Sequence, residues 1–255
     1  MTTPPEHIEI DGAPAADPAL LATLMNGFGH FTAMQVRNGR VRGLGAHLAR
    51  LDRSTRELFG RELPGGRVRE LIASALTAAG RRDASVRVYV YGGARVAVTV
   101  ALPAADGPGA PQRLTAVDYW RPAAHIKHLG GFGQAYHRAE ALRAGYDEAL
   151  LTSPRGEISE GAITNIAFWD GTSLVWPSAP CLEGITMTLL SGALESVRRP
   201  VTQADLPGYR AALVTNARVI APVTAIDGVG FAVDEELMAR VRAAYEAVEP
   251  EAVAG

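Results

Sequence analysis

Lysine is nearly absent from this chain, which draws its positive charge from arginine instead. Cysteine is represented only by Cys181, which excludes an intrachain disulfide and any usual Cys/His zinc cluster and points to a reducing, cytoplasmic context. No stretch reaches the roughly 18 apolar residues of a membrane-spanning helix. Residues 1–17 have no basic start followed by an apolar run, so neither insertion nor secretion is expected. An excess of either charge is also lacking: the formal net charge is -2, with 25 basic and 27 acidic residues interspersed, which leaves no electrostatic footprint for nucleic acid.

Several catalytic signatures are missing as well. There is no Gly-x-x-x-x-Gly-Lys loop, and Gly27-Phe28-Gly29 has neither a third glycine nor a preceding strand, so nucleotide binding is unsupported. Without a Gly-x-Ser-x-Gly elbow, a serine hydrolase has no nucleophile in its usual setting. The six histidines, His7, His30, His47, His125, His128 and His137, show no His-Glu-x-x-His spacing, and no metal site is expected.

What is present is the composition of a globular protein, 47% hydrophobic and 20% charged over 255 residues, with interior enough to bury a cofactor. Alternation predicts strands over 31–37 and 40–44 joined by a type I′ turn at Asn38-Gly39, and a second hairpin over 85–91 and 95–102 around Gly92-Gly93. Between them a helix is expected over 46–59, with Leu48, Leu51 and Leu58 on its apolar face and Arg50, Arg53 and Arg56 largely off it. A second helix is expected over 67–79, stopped by Gly80. After a loop over 103–111 and a strand over 113–119, Pro122 marks a linker. We expect a smaller N-terminal α/β domain over 1–119, the linker over 120–126 and a larger C-terminal domain over 127–255. In the latter, helices are predicted over 132–144, 186–197 and 235–248, and strands over 148–152, 163–169 and 211–215.

Lys127 sits in the glycine-rich turn His125-Ile126-Lys127-His128-Leu129-Gly130-Gly131. In a chain that uses arginine for charge, a retained lysine marks a place where a deprotonatable, nucleophilic amine is wanted, since guanidinium cannot serve. Such an amine forms a Schiff base with an aldehyde cofactor. Downstream, Ser159-Glu160-Gly161 sets Glu160 between a turn and a strand. Alone it reads as a solvated turn carboxylate. Paired with Lys127, it fits a carboxylate against a protonated pyridine nitrogen, which keeps that ring able to accept electrons. Phosphate recognition needs positive charge and free amides. Arg50, one helical turn after His47, and Gly184-Ile185-Thr186, which opens a helix, supply these, and Thr215-Asn216 ends an apolar strand.

Together these segments resemble the fold-type IV pyridoxal phosphate enzymes, or class IV aminotransferases, which include branched-chain and D-amino acid aminotransferases, (R)-selective amine transaminases and aminodeoxychorismate lyase. The resemblance runs from about Gly27 to about Gly228. It is carried in order by Tyr146-Asp147-Glu148-Ala149-Leu150-Leu151, Gly156, Ser159-Glu160-Gly161, Asn165, Leu182-Glu183-Gly184-Ile185-Thr186, Thr215-Asn216 and Pro222-Val223. It implies a two-domain α/β (α+β) fold with pyridoxal 5'-phosphate in the interdomain cleft, in a homodimer. Residue by residue, it implies that Lys127 forms the Schiff base and shuttles protons, that Glu160 pairs with the pyridine nitrogen, and that Arg50, Ile185, Thr186 and Thr215 hold the phosphate.

Two departures from the family pattern stand out. Phe132 occupies the place, five residues after the lysine, where many members carry tyrosine. The first hairpin, Gly29-His30-Phe31-Thr32-Ala33, lacks the usual tyrosine or acidic residue, and Phe31-Thr32 is more like the lyase. His30, Phe31, Thr32, Arg87 and Asn216 are the candidates for substrate contact. The expected activity is amino transfer from an amino acid or primary amine to a 2-keto acid. The alternatives are an aminodeoxychorismate lyase forming 4-aminobenzoate and pyruvate, and a catalytically degenerate protein on the same cofactor fold.

Overall fold

The computed structural model describes residues 7–14 and 27–254, so only part of the N-terminal stretch 1–17 falls within it. The chain divides into two compact units. Among the described residues, one gathers those up to Asp106 with Ile126–Gly131 and the C-terminal residues from Glu249, and the other holds Gly107–His125 and Phe132–Val248.

The strands of the first unit are β1 (His7–Ile10), β2 (Ala13–Pro14), β3 (Gly29–Val36), β4 (Arg40–Arg42), β5 (Ala84–Tyr91) and β6 (Arg95–Ala101). All but β4 join one antiparallel sheet in the order β2-β1-β6-β5-β3. Period-two alternation sorts its side chains. His30, Thr32, Met34 and Val36 of β3 and Val86, Val88 and Val90 of β5 are buried on one face, whereas Phe31, Arg87 and Tyr89 fall on the other. Asn38 and Gly39 both have positive φ, 54° and 71°, as a type I′ turn requires. Arg37 and Arg40 exchange two backbone hydrogen bonds of 2.9 Å across it. Beyond the turn β4 leaves β3 and pairs with the strand Pro250–Ala252, so it is not the return strand expected over 40–44.

Two helices, α1 (Leu44–Phe59) and α2 (Gly65–Ala78), cover the inward face. Leu44, Leu48 and Leu51 pack with Val68, Ile72 and Leu76 against Met34, Val86, Val88 and Val98, each fully buried side chain stabilising the unit by about 1.5–3 kcal/mol. The buried face of α1 also includes His47, Arg50 and Thr55. Arg50 is therefore buried rather than off the apolar face, while Arg53 and Arg56 are exposed as expected.

The second unit contains β7 (Gln112–Asp118), β8 (Glu148–Thr152), β9 (Ile158–Gly161), β10 (Asn165–Trp169), β11 (Leu174–Pro177), β12 (Ser196–Arg199), β13 (Ala211–Thr215), β14 (Ile220–Ile226) and β15 (Val229–Gly230). They form one mixed sheet in the order β12-β11-β10-β13-β14-β7-β8-β9, with β15 beside β14. The expectation that β7 closes the N-terminal domain is corrected: it pairs in parallel with β8 and β14, and so residues 107–125 belong to this unit.

Helices α3 (Phe132–Arg143), α4 (Ile185–Ala193) and α5 (Glu235–Glu246) complete it. Leu114, Leu150, Ile166, Phe168 and Val214 build one core; Leu174, Trp176, Leu190, Leu213, Leu237 and Val241 build another, which packs α4 and α5. The helix expected over 186–197 ends at Ala193, because Leu194 is extended and Ser196–Arg199 runs as β12 alongside β11. Glu160 lies in β9 and is buried, unlike the solvated turn carboxylate it would be if it stood alone.

Candidate active site

Lys127 is the only lysine of the chain. Its segment is clamped to β3 in the first unit: Phe31 N donates to Lys127 O and Leu129 N donates to Gly29 O, both at 2.9 Å. That approach requires glycine at 29, where a Cβ would stand 2.6 Å from Val90 O and 2.9 Å from Leu129 Cδ1. Lys127 Nζ lies 4.9 Å from the centroid of the Phe31 ring, a cation–π distance. Phe31 stacks on Tyr89 with centroids 5.5 Å apart. Arg87 Cζ is 6.0 Å from the Phe31 centroid, and Arg87 Nη1 donates to Tyr89 Oη at 3.4 Å. Lys127, Phe31 and Arg87 are thus brought together, with Tyr89 as a member the sequence reasoning missed.

On the inward face of the same sheet Arg50 Nη2 donates to Thr32 Oγ1 at 2.6 Å. The same Thr32 hydroxyl is hydrogen-bonded to His47 Nδ1, also at 2.6 Å. Thr55 spends its proton on Leu51 O at 2.8 Å, so His30 Nε2 donates to Thr55 Oγ1 at 3.0 Å. Burial first, and the Arg50 charge second, push His30 down to about 4. Burial, Arg50 and then Lys127 hold His47 well below the usual imidazole range. His30 and Thr32, expected at a substrate, instead face the helices because alternation places them opposite Phe31. Thr32 accepts from Arg50 there, and His30 donates to Thr55.

In the second unit Glu160 is 3% exposed. Arg121 Nη1 donates to its Oε1 at 3.1 Å, Leu182 N donates to its Oε2 at 3.2 Å, and Arg121 Nη2 is held by Ala124 O at 2.7 Å. Arg121 escaped the sequence reading because an arginine before Pro122 looks like linker charge. Burial, then the Glu160 charge, push the Cys181 thiol up to about 11. Asn165 Nδ2 donates to Leu182 O at 2.7 Å, joining β10 to the segment that carries the Glu160 partner.

Helix α4 opens on Gly184 with no side-chain cap, leaving the first amides at Ile185 and Thr186 without that kind of partner. A Cβ at Gly184 would collide with Asn165 Oδ1. Thr186 Oγ1 donates to Asn216 O at 3.0 Å, which joins two of the expected residues. Thr215, paired with Asn165 at the end of β13, is fully buried, and its Oγ1 has no hydrogen-bond partner among the described residues. A buried hydroxyl of this kind beside an uncapped helix start is suited to an anion.

A mixed α/β chain built this way has the fold of several solved aminotransferase-like structures. The branched-chain aminotransferase from the thermophilic archaeon Thermoproteus uzoniensis, solved with norvaline, superposes with a TM-score of 0.82 at 23% identity, covering 95% of this chain and 94% of that one. A putative 4-amino-4-deoxychorismate lyase from Legionella pneumophila gives 0.80 at 18% identity, covering 89% and 93%. The family model described as Amino-transferase class IV matches residues 29–226, and the chain belongs to that family. A probable branched-chain-amino-acid aminotransferase from Aquifex aeolicus (strain VF5) is 35% identical over 102 residues, 36% of this chain and 33% of that protein, so the match spans about a third of the curated relative. Among the described residues no helix is long and apolar enough to cross a membrane, and no cluster of metal-ligating side chains occurs.

Proposed function

We propose that the protein is a pyridoxal 5'-phosphate-dependent aminotransferase that moves an amino group from an amino acid or primary amine to a 2-keto acid, as a cytoplasmic homodimer. The observation that carries this reading is the sole lysine, fixed by backbone hydrogen bonds to β3 with its amine over Phe31. The residues suit the cofactor one by one: in the second unit the Thr215 hydroxyl, without a partner among the described residues, and the amides of Ile185 and Thr186 suit a phosphate and buried Glu160 suits a pyridine nitrogen, while in the first unit the guanidinium of Arg50 suits an anion. When bound, the cofactor supplies an electrophilic carbon and a ring that accepts the electron pair released at the substrate α-carbon.

Lys127 would hold the cofactor through its Nζ, and that amine, once displaced by the amine of the substrate, would be free to move a proton at the substrate α-carbon. Glu160, its two oxygens fixed by Arg121 and Leu182 N, would face the ring nitrogen and favour its protonated form. Arg87, braced by Tyr89, receives a substrate carboxylate. Asn216 ties Thr186 and so keeps the start of α4 in place.

Borohydride reduction in the presence of pyridoxal 5'-phosphate, followed by peptide mapping, is expected to fix the cofactor on Lys127, and a Lys127→Ala variant is expected to take none and to lose transamination. A folded wild-type protein that yields no adduct at Lys127 overturns the reading. The lyase is the second reading, favoured by Phe31, which places a ring without a hydroxyl beneath the amine. Release of pyruvate from aminodeoxychorismate without any keto-acid acceptor decides for it. A cofactor that binds but is bleached by no amine decides for a degenerate protein.

A further inference from the structure

Glu148 is a buried carboxylate with no part in the reaction described above. It sits in β8, 2% exposed, and its oxygens are spoken for: Oε1 accepts from Ala149 N at 3.0 Å and Oε2 accepts from Ile163 N at 3.3 Å. Arg138 of α3 brings its Nε to 3.6 Å from Oε1. The other groups turned towards it are the Thr164 hydroxyl and Gly161, where a Cβ would stand 3.3 Å from Glu148 Cγ. Burial, opposed by Arg138, by these two amides and by Thr164, pushes the carboxyl up to about 7. A carboxylate in this setting is costly to keep, and what it supplies in return is an acceptor for two backbone amides.

The segment it grips runs from Glu160 in β9 to Asn165 in β10. Ile163 is held through both of its backbone polar groups, since its amide goes to Glu148 and its carbonyl accepts from Asn216 Nδ2 at 3.3 Å. Asn216 O in turn accepts from Thr186 Oγ1. At the other side of the segment, Leu182 is tied twice, its amide to Glu160 and its carbonyl to Asn165. One loop thus links the carboxylate proposed for the ring nitrogen to the helix start proposed for the phosphate.

We propose that Glu148 is a positioning residue, which anchors the 161–164 loop through the Ile163 amide and thereby sets the places of Glu160 and of the Asn216–Thr186 pair for the cofactor. This rests on the cofactor reading given above, but it is separable from it by experiment. Amide exchange measured by mass spectrometry without cofactor reads the anchoring directly. Glu148→Leu is expected to speed exchange at Ile163 by about tenfold, the loss of one hydrogen bond to a charged acceptor, and to speed exchange at Leu182 as well, because Glu160 shifts with the loop. Glu148→Gln, which keeps an acceptor for Ile163, is expected to restore both. Pyridoxal 5'-phosphate titration is expected to show affinity about tenfold weaker in the leucine variant and near wild type in the glutamine variant.

If the leucine variant fails to fold, Glu148→Asp replaces it, since the shorter side chain withdraws the acceptor while keeping the charge, and the same two amides are read. Faster exchange at Ile163 alone, with Leu182 and cofactor affinity unchanged, overturns the proposal in favour of local packing. A wild-type protein that binds no pyridoxal 5'-phosphate overturns the functional reading instead, and the Leu182 amide still decides whether Glu148 positions Glu160.

Discussion

Thr215 keeps a hydroxyl fully buried without a partner among the described residues, which costs free energy in a chain that could carry valine at the same place. The two roles of that hydroxyl predict changes of opposite sign. Thr215→Val is expected to stabilise the cofactor-free protein by about 1 kcal/mol and to weaken pyridoxal 5'-phosphate binding by about 1 kcal/mol. Thermal melting without cofactor and a binding titration check this, and a variant that loses stability and keeps its affinity would sink the phosphate role. At this scale the sequence is legible where chemistry is local. Lys127 stands out by scarcity, and Thr215 by its place in an ordered motif. Arg50 is misplaced on its helix and Arg121 is overlooked, because burial of an arginine depends on partners distant in the chain: Thr32 for one, Glu160 for the other.

Among the elements, the hairpins and the exposed-faced helices are readable, since one solvent face leaves a period of two or 3.6 in the sequence. β8, β10 and β13 are buried throughout, so their apolar runs carry no period, and only their bounding turns locate them. β14 is hidden by Pro222. β7 joins β14 only from Val223 onward, so the missing amide costs no bond on that side. The β3 clamp makes the sharpest test of an element. Gly29→Val puts atoms where Val90 O and Leu129 now stand, and should destabilise the first unit by about 2–4 kcal/mol while loosening the lysine segment. Urea unfolding gives the first quantity. Faster reaction of Lys127 with an amine reagent reports the second, and unchanged values of both would refute the clamp.

For the molecule as a whole, buried titratable groups set the pH dependence of stability. His30 has a folded value of about 4 against 6.5 unfolded, so between those values the unfolded chain binds more protons and stability falls as the pH falls. His47 acts in the same direction. Glu148 works oppositely: raised from 4.5 to about 7, it binds its proton more tightly in the folded chain, and stability falls as the pH rises through that window. Glu148→Gln is therefore expected to gain on the order of 3 kcal/mol above pH 7 and little near the acid end. Denaturant titrations on either side of the window measure it, and an equal effect at both ends would contradict it. The division into units is the least legible feature, because β7 and residues 126–131 each pair across long sequence separations that no linker composition reveals.

The same scarcity of lysine has a practical side. Reagents that couple to primary amines, such as activated esters used for dyes or sensor surfaces, find in this sequence only the Lys127 side chain besides the chain's own α-amino group. Saturating that chemistry should abolish turnover, and a keto acid or cofactor that shields the side chain should leave every label on the terminus. The protein thus arrives with its own site-selective handle, and the labelling stoichiometry doubles as a count of vacant active sites.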